Sequence, residues 1–263
     1  MEDKMHTFFR ENLFLVEDEN LLPVEPILES LRKSTFACIR GVVSEREVQC
    51  SLNALKNRFN PALDRPSVGE KPSEVKSNFQ KLSVGGTMSM HYKGPYRPRL
   101  LRTFYNPLWE EDIYKMHRVF KKMIAVRNQL MERPSEFAMD KVENGLWSAA
   151  RIHQYPTGGG FMGSHKDNTL SGVASKAGLN YFQLLLIMSK KGKDFDKGGG
   201  FIEVKGQRLI FEELCNLGDI VIYDSSTVHG VADVDPQKVL DLENINGRIA
   251  AFVSLYKDMG SIN

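Results

Sequence analysis

Apolar residues change their spacing several times along the chain. Residues 1–35 are polar and are expected to be irregular. Phe36 to Val43 is a short apolar run rich in β-formers and reads as a strand. Ser44 follows as an N-cap with Glu47 three residues later, and Val48, Leu52 and Leu55 recur at helical spacing, so a capped helix is predicted next. Residues 61–105 are rich in Pro, Gly, Ser and Lys with little periodicity, and read as a long loop region. From Leu108 to Met131, apolar residues return at steps of three and four, predicting an amphipathic helix whose methionines read as core packing. Beyond Trp147 the helical period disappears. Short apolar runs over 149–155, 181–188, 201–204, 219–223 and 248–256 are broken by Gly and Asp, which predicts strands of an antiparallel sandwich or barrel. The expected fold is therefore mainly β with α support: one domain over 1–263, with a helical and loop-rich support in 1–147 and a β core in 148–263.

Composition narrows the function classes. The 263 residues are 41% hydrophobic and 26% charged, as in a soluble globular protein. Thirty-five basic residues against 33 acidic ones leave a net charge of +2, which provides no field for nucleic acid. No apolar run is long enough to span a bilayer, so no membrane partner is expected. The start, MEDKMHTFFRENLFLVEDEN, is acidic throughout and reads as neither a secretory signal nor a transit peptide. Cys38, Cys50 and Cys215 have no CxxC spacing, which argues against a disulfide framework and a thiolate zinc site and favours the cytoplasm.

The candidate chemistry begins at His165-Lys166-Asp167. Two residues apart on a strand, an imidazole and a carboxylate share one face and can bind one metal ion. Such a pair is weak alone. His229 adds a second imidazole at the end of an apolar strand that starts at Gly218-Asp219. Two histidines and one carboxylate form the facial triad that holds non-haem Fe(II) and leaves three positions open. Zinc could take the same ligands, but a zinc hydrolase would need a further general base, and no HExxH helix is present. Arg248 opens the last apolar run, sharing its strand face with Ala250, Phe252, Ser254 and Tyr256. Its fork of donors suits the distal carboxylate of a 2-oxo diacid chelated to iron. In residues 91–106, aromatic and basic side chains alternate, so the segment reads as either a solvated loop or an anionic-substrate lid, with Arg97, Arg99, Arg102 and Tyr105 as candidate contacts.

Taken in order, several segments resemble the Fe(II)/2-oxoglutarate-dependent dioxygenases, in particular the prolyl-hydroxylase-like and phytanoyl-hydroxylase-like members. They are Arg151 through Tyr155, Gly158 and Phe161 to His165-Lys166-Asp167, then Gly198-Gly199-Gly200-Phe201-Ile202-Glu203, Gly218-Asp219, His229 and Gly247-Arg248. The strand and helix from Phe36 to Leu55 resemble the family's N-terminal entry, so the likeness covers about two thirds of the chain. The resemblance implies a double-stranded β-helix, the jelly-roll, cupin-like core of two facing antiparallel sheets, preceded by N-terminal helices. It also implies Fe(II), with 2-oxoglutarate and O2 as cosubstrates, 2-oxoglutarate being decarboxylated to succinate as a substrate C–H bond is attacked. By position, His165, Asp167 and His229 would ligate iron, Arg248 would pair with the distal carboxylate, and Tyr155 would hydrogen-bond the cosubstrate. Strand parity puts Arg151 and His153 on the face of Tyr155, where they either line the cavity or are satisfied core groups.

Two departures from the family pattern concern the cosubstrate. The stretch from His229 to Arg248 is longer than in many relatives, and Arg248 is followed by Ile249-Ala250 instead of continuing as the Arg-x-Ser of plant-type members. Retention of Asp167 argues against halogenation. With a short chain and no recognisable peptide-binding module, the expected substrate is a small anionic or zwitterionic molecule, such as an amino acid or biosynthetic intermediate, that is hydroxylated, desaturated or cyclised. The alternatives are a prolyl-type protein hydroxylase and a catalytically silent metal-binding β-barrel sensor. A monomer or homodimer is expected.

Overall fold

The computed structural model describes residues 2–66, 74–85, 99–204 and 206–260. In chain order the elements are α1 (Glu2–Glu11), β1 (Leu13–Leu15), α2 (Val24–Ser34), β2 (Phe36–Arg40), α3 (Glu45–Arg58), β3 (Arg65–Pro66), β4 (Phe79–Val84), β5 (Leu100–Tyr105), α4 (His117–Leu130), β6 (Leu146–Tyr155), β7 (Met162–His165), α5 (Asn168–Lys176), β8 (Phe182–Ile187), β9 (Gly199–Val204), β10 (Gln207–Ile210), β11 (Ile220–Asp224), β12 (Val228–Ala232) and β13 (Arg248–Lys257). The strands form two sheets. One has the order β1-β2-β11-β8-β13-β6-β5-β4-β3, and the other has β10-β9-β12-β7. Of strands β6 to β13, β6, β8, β11 and β13 lie in the large sheet and β7, β9, β10 and β12 in the small one, the pattern of a double-stranded β-helix, so the core is mainly β, with helices supporting it.

The centre of the large sheet is the pairing of β6 with β13, antiparallel from Arg248 opposite Tyr155 to Lys257 opposite Leu146. Because side chains alternate along a strand, each face of this pair has its own job. Ala150, Ile152, Ile249, Ala251, Val253 and Leu255 join Val119, Phe120, Met123 and Ile124 of α4 in the main apolar core. The opposite face carries the polar groups and looks toward the small sheet. That asymmetry makes one side of the sheet a core and the other a cavity.

Local signals account for several boundaries. At α3, Ser44 Oγ accepts from the Glu47 amide at 3.3 Å, while Glu47 Oε2 accepts from the Ser44 amide at 2.9 Å, so the capping box forms as the spacing predicts. The helix expected from Leu108 begins instead at His117. There the Asp112 carboxylate accepts from the Met116 and His117 amides at 2.8 and 3.2 Å, capping the start and leaving the preceding residues in turns. The N-terminal 35 residues are not irregular. They hold α1 and α2, and α2 buries Ile27, Leu28 and Leu31, which are at helical spacing. The region expected as a long loop contains β4 and β5, which extend the large sheet beyond β6. Gln80, Lys81, Arg102 and Thr103 are all buried there, and these polar residues hide the strands from an apolar-pattern reading. Among the described residues, no helix is long and apolar enough to cross a membrane.

Candidate metal centre

His165 ends β7 and His229 lies on β12, and the antiparallel register sets the two directly opposite each other. Their ring centroids are 4.2 Å apart. Each Nδ1 faces a backbone carbonyl two residues earlier: Gly163 O at 2.8 Å for His165 and Thr227 O at 3.1 Å for His229. A carbonyl only accepts, so each Nδ1 carries the proton and each Nε2 is left as a lone-pair donor. The two Nε2 atoms point at one carboxylate, His165 Nε2 lying 3.8 Å from Asp167 Oδ1 and His229 Nε2 3.7 Å from Asp167 Oδ2. All three ligand atoms lie within 4.8 Å of one another, and the 3.8 and 3.7 Å from the two histidines to the carboxylate are separations that a pair of metal bonds of about 2.1 Å each can bridge. Burial, and then the neighbouring His229, push the His165 pKa down to about 4, which keeps that ring in the neutral form a metal requires.

Asp167 is not on the strand. β7 stops at His165, and Asp167 occupies the position before the first turn of α5 without capping it. Its Oδ2 instead accepts from the Tyr181 hydroxyl at 2.8 Å, which fixes the carboxylate beneath the histidines. Tyr181, just before β8, was not singled out by the sequence patterns.

A cavity of about 470 Å³ opens over the triad. Arg151, His153 and Tyr155 of β6 all line it, as strand parity predicts, and so do Arg248, Phe252 and Tyr256 of β13. The Arg248 guanidinium lies 5.2 Å from the centre of the Tyr155 ring. Its Nε donates to Glu212 Oε1 at 2.7 Å, and Glu212 Oε2 accepts from the Gly200 amide at 3.1 Å. Arg248 Nη1 is buried and has no hydrogen-bond partner among the described residues. The glycine at position 200 permits this packing, since a Cβ there would stand 2.5 Å from Phe211 Cζ and 2.9 Å from Arg248 Nη2. The residues present therefore fit the implied groups: two imidazoles and a carboxylate suit Fe(II), and an unpartnered guanidinium nitrogen suits an incoming carboxylate.

The other expected contacts divide. Tyr105 lines the cavity, as does Thr103. Arg102 lies on the opposite face of β5, where Nη2 and Nε bind Asp64 at 2.7 to 3.0 Å and Nη1 donates to Gln154 at 2.8 Å. Its charge is thus neutralised away from the cavity. Arg99 is half exposed, paired with Asp233 and stacked 5.0 Å above the Phe161 ring, and is not among the lining residues. Arg97 lies outside the described residues.

His153 accepts from Arg151 Nε at 3.2 Å through Nε2, and its Nδ1 has no partner among the described residues. Burial first, then the charges of Arg151, Arg248 and Lys81, hold its pKa well below the ordinary histidine value. The unfolded chain therefore binds a proton that the folded one refuses, and stability should fall as pH drops below about 6.5. One such histidine contributes a slope of up to about 1.4 kcal/mol per pH unit. Urea unfolding of the metal-free protein from pH 8 to 5 should show that decline, with a shallower slope in His153→Phe. Equal slopes in the two proteins would contradict the assignment.

No family model and no curated protein matches the sequence. Solved structures do match. A Trichoplax adhaerens prolyl hydroxylase, solved with a peptide fragment of the hypoxia inducible factor oxygen degradation domain, is 11% identical with a TM-score of 0.50, covering 90% of each chain. Neurospora crassa T7H, solved with alpha-ketoglutarate and thymine, is 12% identical with a TM-score of 0.53, covering 92% of this chain and 85% of its own. A Caulobacter crescentus chain described as of the 2OG-Fe(II) oxygenase family is 15% identical with a TM-score of 0.51, covering 88% and 81%. At such identities the likeness is one of fold, and with the two-sheet topology it shows that this chain has the double-stranded β-helix fold of the Fe(II)/2-oxoglutarate oxygenases.

Proposed function

We propose that the protein is a non-haem Fe(II)- and 2-oxoglutarate-dependent oxygenase that acts on an unactivated C–H bond of a small molecule, by hydroxylation, desaturation or cyclisation. One observation carries this reading: the three convergent ligand atoms of His165, Asp167 and His229 share a cavity with Arg248, a buried guanidinium with a nitrogen that is unpartnered among the described residues. When bound, the iron and cosubstrate supply oxidative decarboxylation coupled to C–H oxidation.

The chain's own part is positioning and electrostatics. Backbone carbonyls orient the two imidazoles, and Tyr181 orients the carboxylate. Glu212 fixes the Arg248 fork from behind, so its free nitrogen is preorganised for the distal carboxylate. Tyr155 sits across the β6–β13 ladder from Arg248, and burial pushes its phenol up to about 12, so it stays a hydrogen-bond donor. A cavity of about 470 Å³ is in the range of small-ligand sites, roughly 300 to 1,000 Å³. The three free thiols suit a reducing compartment, and we place the protein in the cytoplasm.

Calorimetric titration of 2-oxoglutarate into Mn(II)-loaded protein tests the reading. One site per chain is expected, strongly weakened when the metal is chelated. No binding, or binding indifferent to chelation, would overturn it.

A further inference from the structure

Four arginines are buried among the described residues, and three have settled roles. Arg102 is paired with Asp64 and Arg248 with Glu212. Arg127, packed under the sheet, donates to Val253 O, Asn128 Oδ1 and Ser148 Oγ. Arg151 differs from all of them. It is 5% exposed, yet it lines the cavity and has no carboxylate partner among the described residues. Its three bonds go to His153 Nε2 at 3.2 Å, Ala149 O at 2.9 Å and Ser254 Oγ at 3.1 Å. A guanidinium has five N–H groups, so one on each terminal nitrogen is left without an acceptor among the described residues. A cation buried without its counter-charge is costly, and a carboxylate from outside would both pair the charge and accept those two donors.

The surroundings favour an anion with an apolar body. In the ladder, Arg151 pairs with Tyr105 on one side and Phe252 on the other. Its guanidinium lies 5.4 Å from the Phe252 ring centre and 5.1 Å from that of Tyr256. Lys81, also 5% exposed, lies on β4, two strands over from Arg151, opposite Thr103, which itself pairs with His153. Among the described lining residues the cations are Lys81, Arg151, Arg248 and Lys257, and the only carboxylate is Asp167. Arg248 is already paired with Glu212, and the two charges of a divalent metal and of a 2-oxo diacid offset each other, which leaves Arg151 without a counter-charge among the described residues.

Arg151 is also separate from the cosubstrate's arginine. Arg248 pairs with Tyr155, four residues along β6 from Arg151, which at about 3.3 Å per residue is roughly 13 Å. A cosubstrate held between Arg248 and the triad has both ends committed.

We propose that Arg151, with Lys81, forms a second anion subsite in this cavity, and that the substrate is a small carboxylate whose apolar body packs against Tyr105, Phe252 and Tyr256. This rests on the oxygenase reading for calling the ligand a substrate, but the subsite itself is testable without turnover.

The test uses matched acids and primary amides: benzoate and benzamide, 3-phenylpropionate and 3-phenylpropionamide, hexanoate and hexanamide. Each is titrated by ligand-observed NMR into Mn(II)-loaded, 2-oxoglutarate-saturated protein and into metal-free protein. At least one acid should bind tenfold or more tighter than its amide. Arg151→Met should bring that ratio close to one while leaving 2-oxoglutarate affinity unchanged, and Arg151→Lys should give an intermediate ratio. Should Arg151→Met fail to fold, Lys81→Met leaves the Arg151 hydrogen bonds in place and should lower the ratio severalfold. Acids that bind no better than amides, or a preference that persists in the Arg151 variant or, in its stead, the Lys81 variant, would overturn the proposal. Loss of 2-oxoglutarate binding with the acid preference intact would instead count against the oxygenase reading alone.

Discussion

Arg248→Met is expected to destabilise the metal-free protein by about 3–5 kcal/mol, the usual penalty for breaking a buried ion pair from one side. The size follows from Glu212, which is 2% exposed and would keep its Gly200 amide bond but lose the one cation it pairs with among the described residues. Adding Glu212→Gln removes the stranded charge, so the double variant should recover most of the loss. Function should not recover with it on the proposed reading, in which the Arg248 guanidinium, absent from both variants, receives the distal carboxylate. Urea unfolding and 2-oxoglutarate titration of the same samples separate the two effects. A single variant as stable as the parent would mean that the pair contributes little, and a double variant that binds 2-oxoglutarate normally would remove Arg248 from the site.

The second large effect belongs to the proposed metal ligands. Asp167→Ala and His229→Ala should each lower metal affinity by more than about 100-fold, since even the outer hydrogen-bond partners of metal ligands are typically worth about 10–100-fold. Tyr181→Phe offers the graded comparison. It removes the hydroxyl that holds Asp167 and leaves all three ligand atoms, so its loss should fall within that smaller range. Metal titration by calorimetry orders the three variants. If Tyr181→Phe weakened binding as much as Asp167→Ala, the carboxylate would not be acting as a direct ligand.

How much of this was legible in the sequence depends on whether a partner lies within a local pattern. His165 and Asp167 are two residues apart, and Arg151, His153 and Tyr155 follow strand parity, so short-range spacing was enough to bring each group together. Parity also carried unused information about Arg102, which is three residues from Tyr105 on the same strand and therefore faces the other way. The helices α1 and α2 had a signal too, in Phe8 and Phe9 and in Ile27, Leu28 and Leu31, but the many charges between them obscured it. Tyr181 and Glu212 had none. Tyr181 reaches Asp167 across 14 residues and Glu212 reaches Arg248 across 36, contacts made only by the folding of one sheet onto the other. The strands β4 and β5 were missed for a related reason. Their buried Lys81 and Thr103 face the cavity, and Arg102 is buried against Asp64, so neither face of that part of the sheet gives the usual apolar alternation.

The central claim is that the triad and Arg248 serve one reaction, and succinate formation tests it most directly. Purified protein given Fe(II), 2-oxoglutarate and O2, alone and with a panel of small carboxylates, should form succinate at a rate that one of them increases, with only background in Asp167→Ala. Succinate that never exceeds the Asp167→Ala background, from protein shown to bind the metal, would contradict the account.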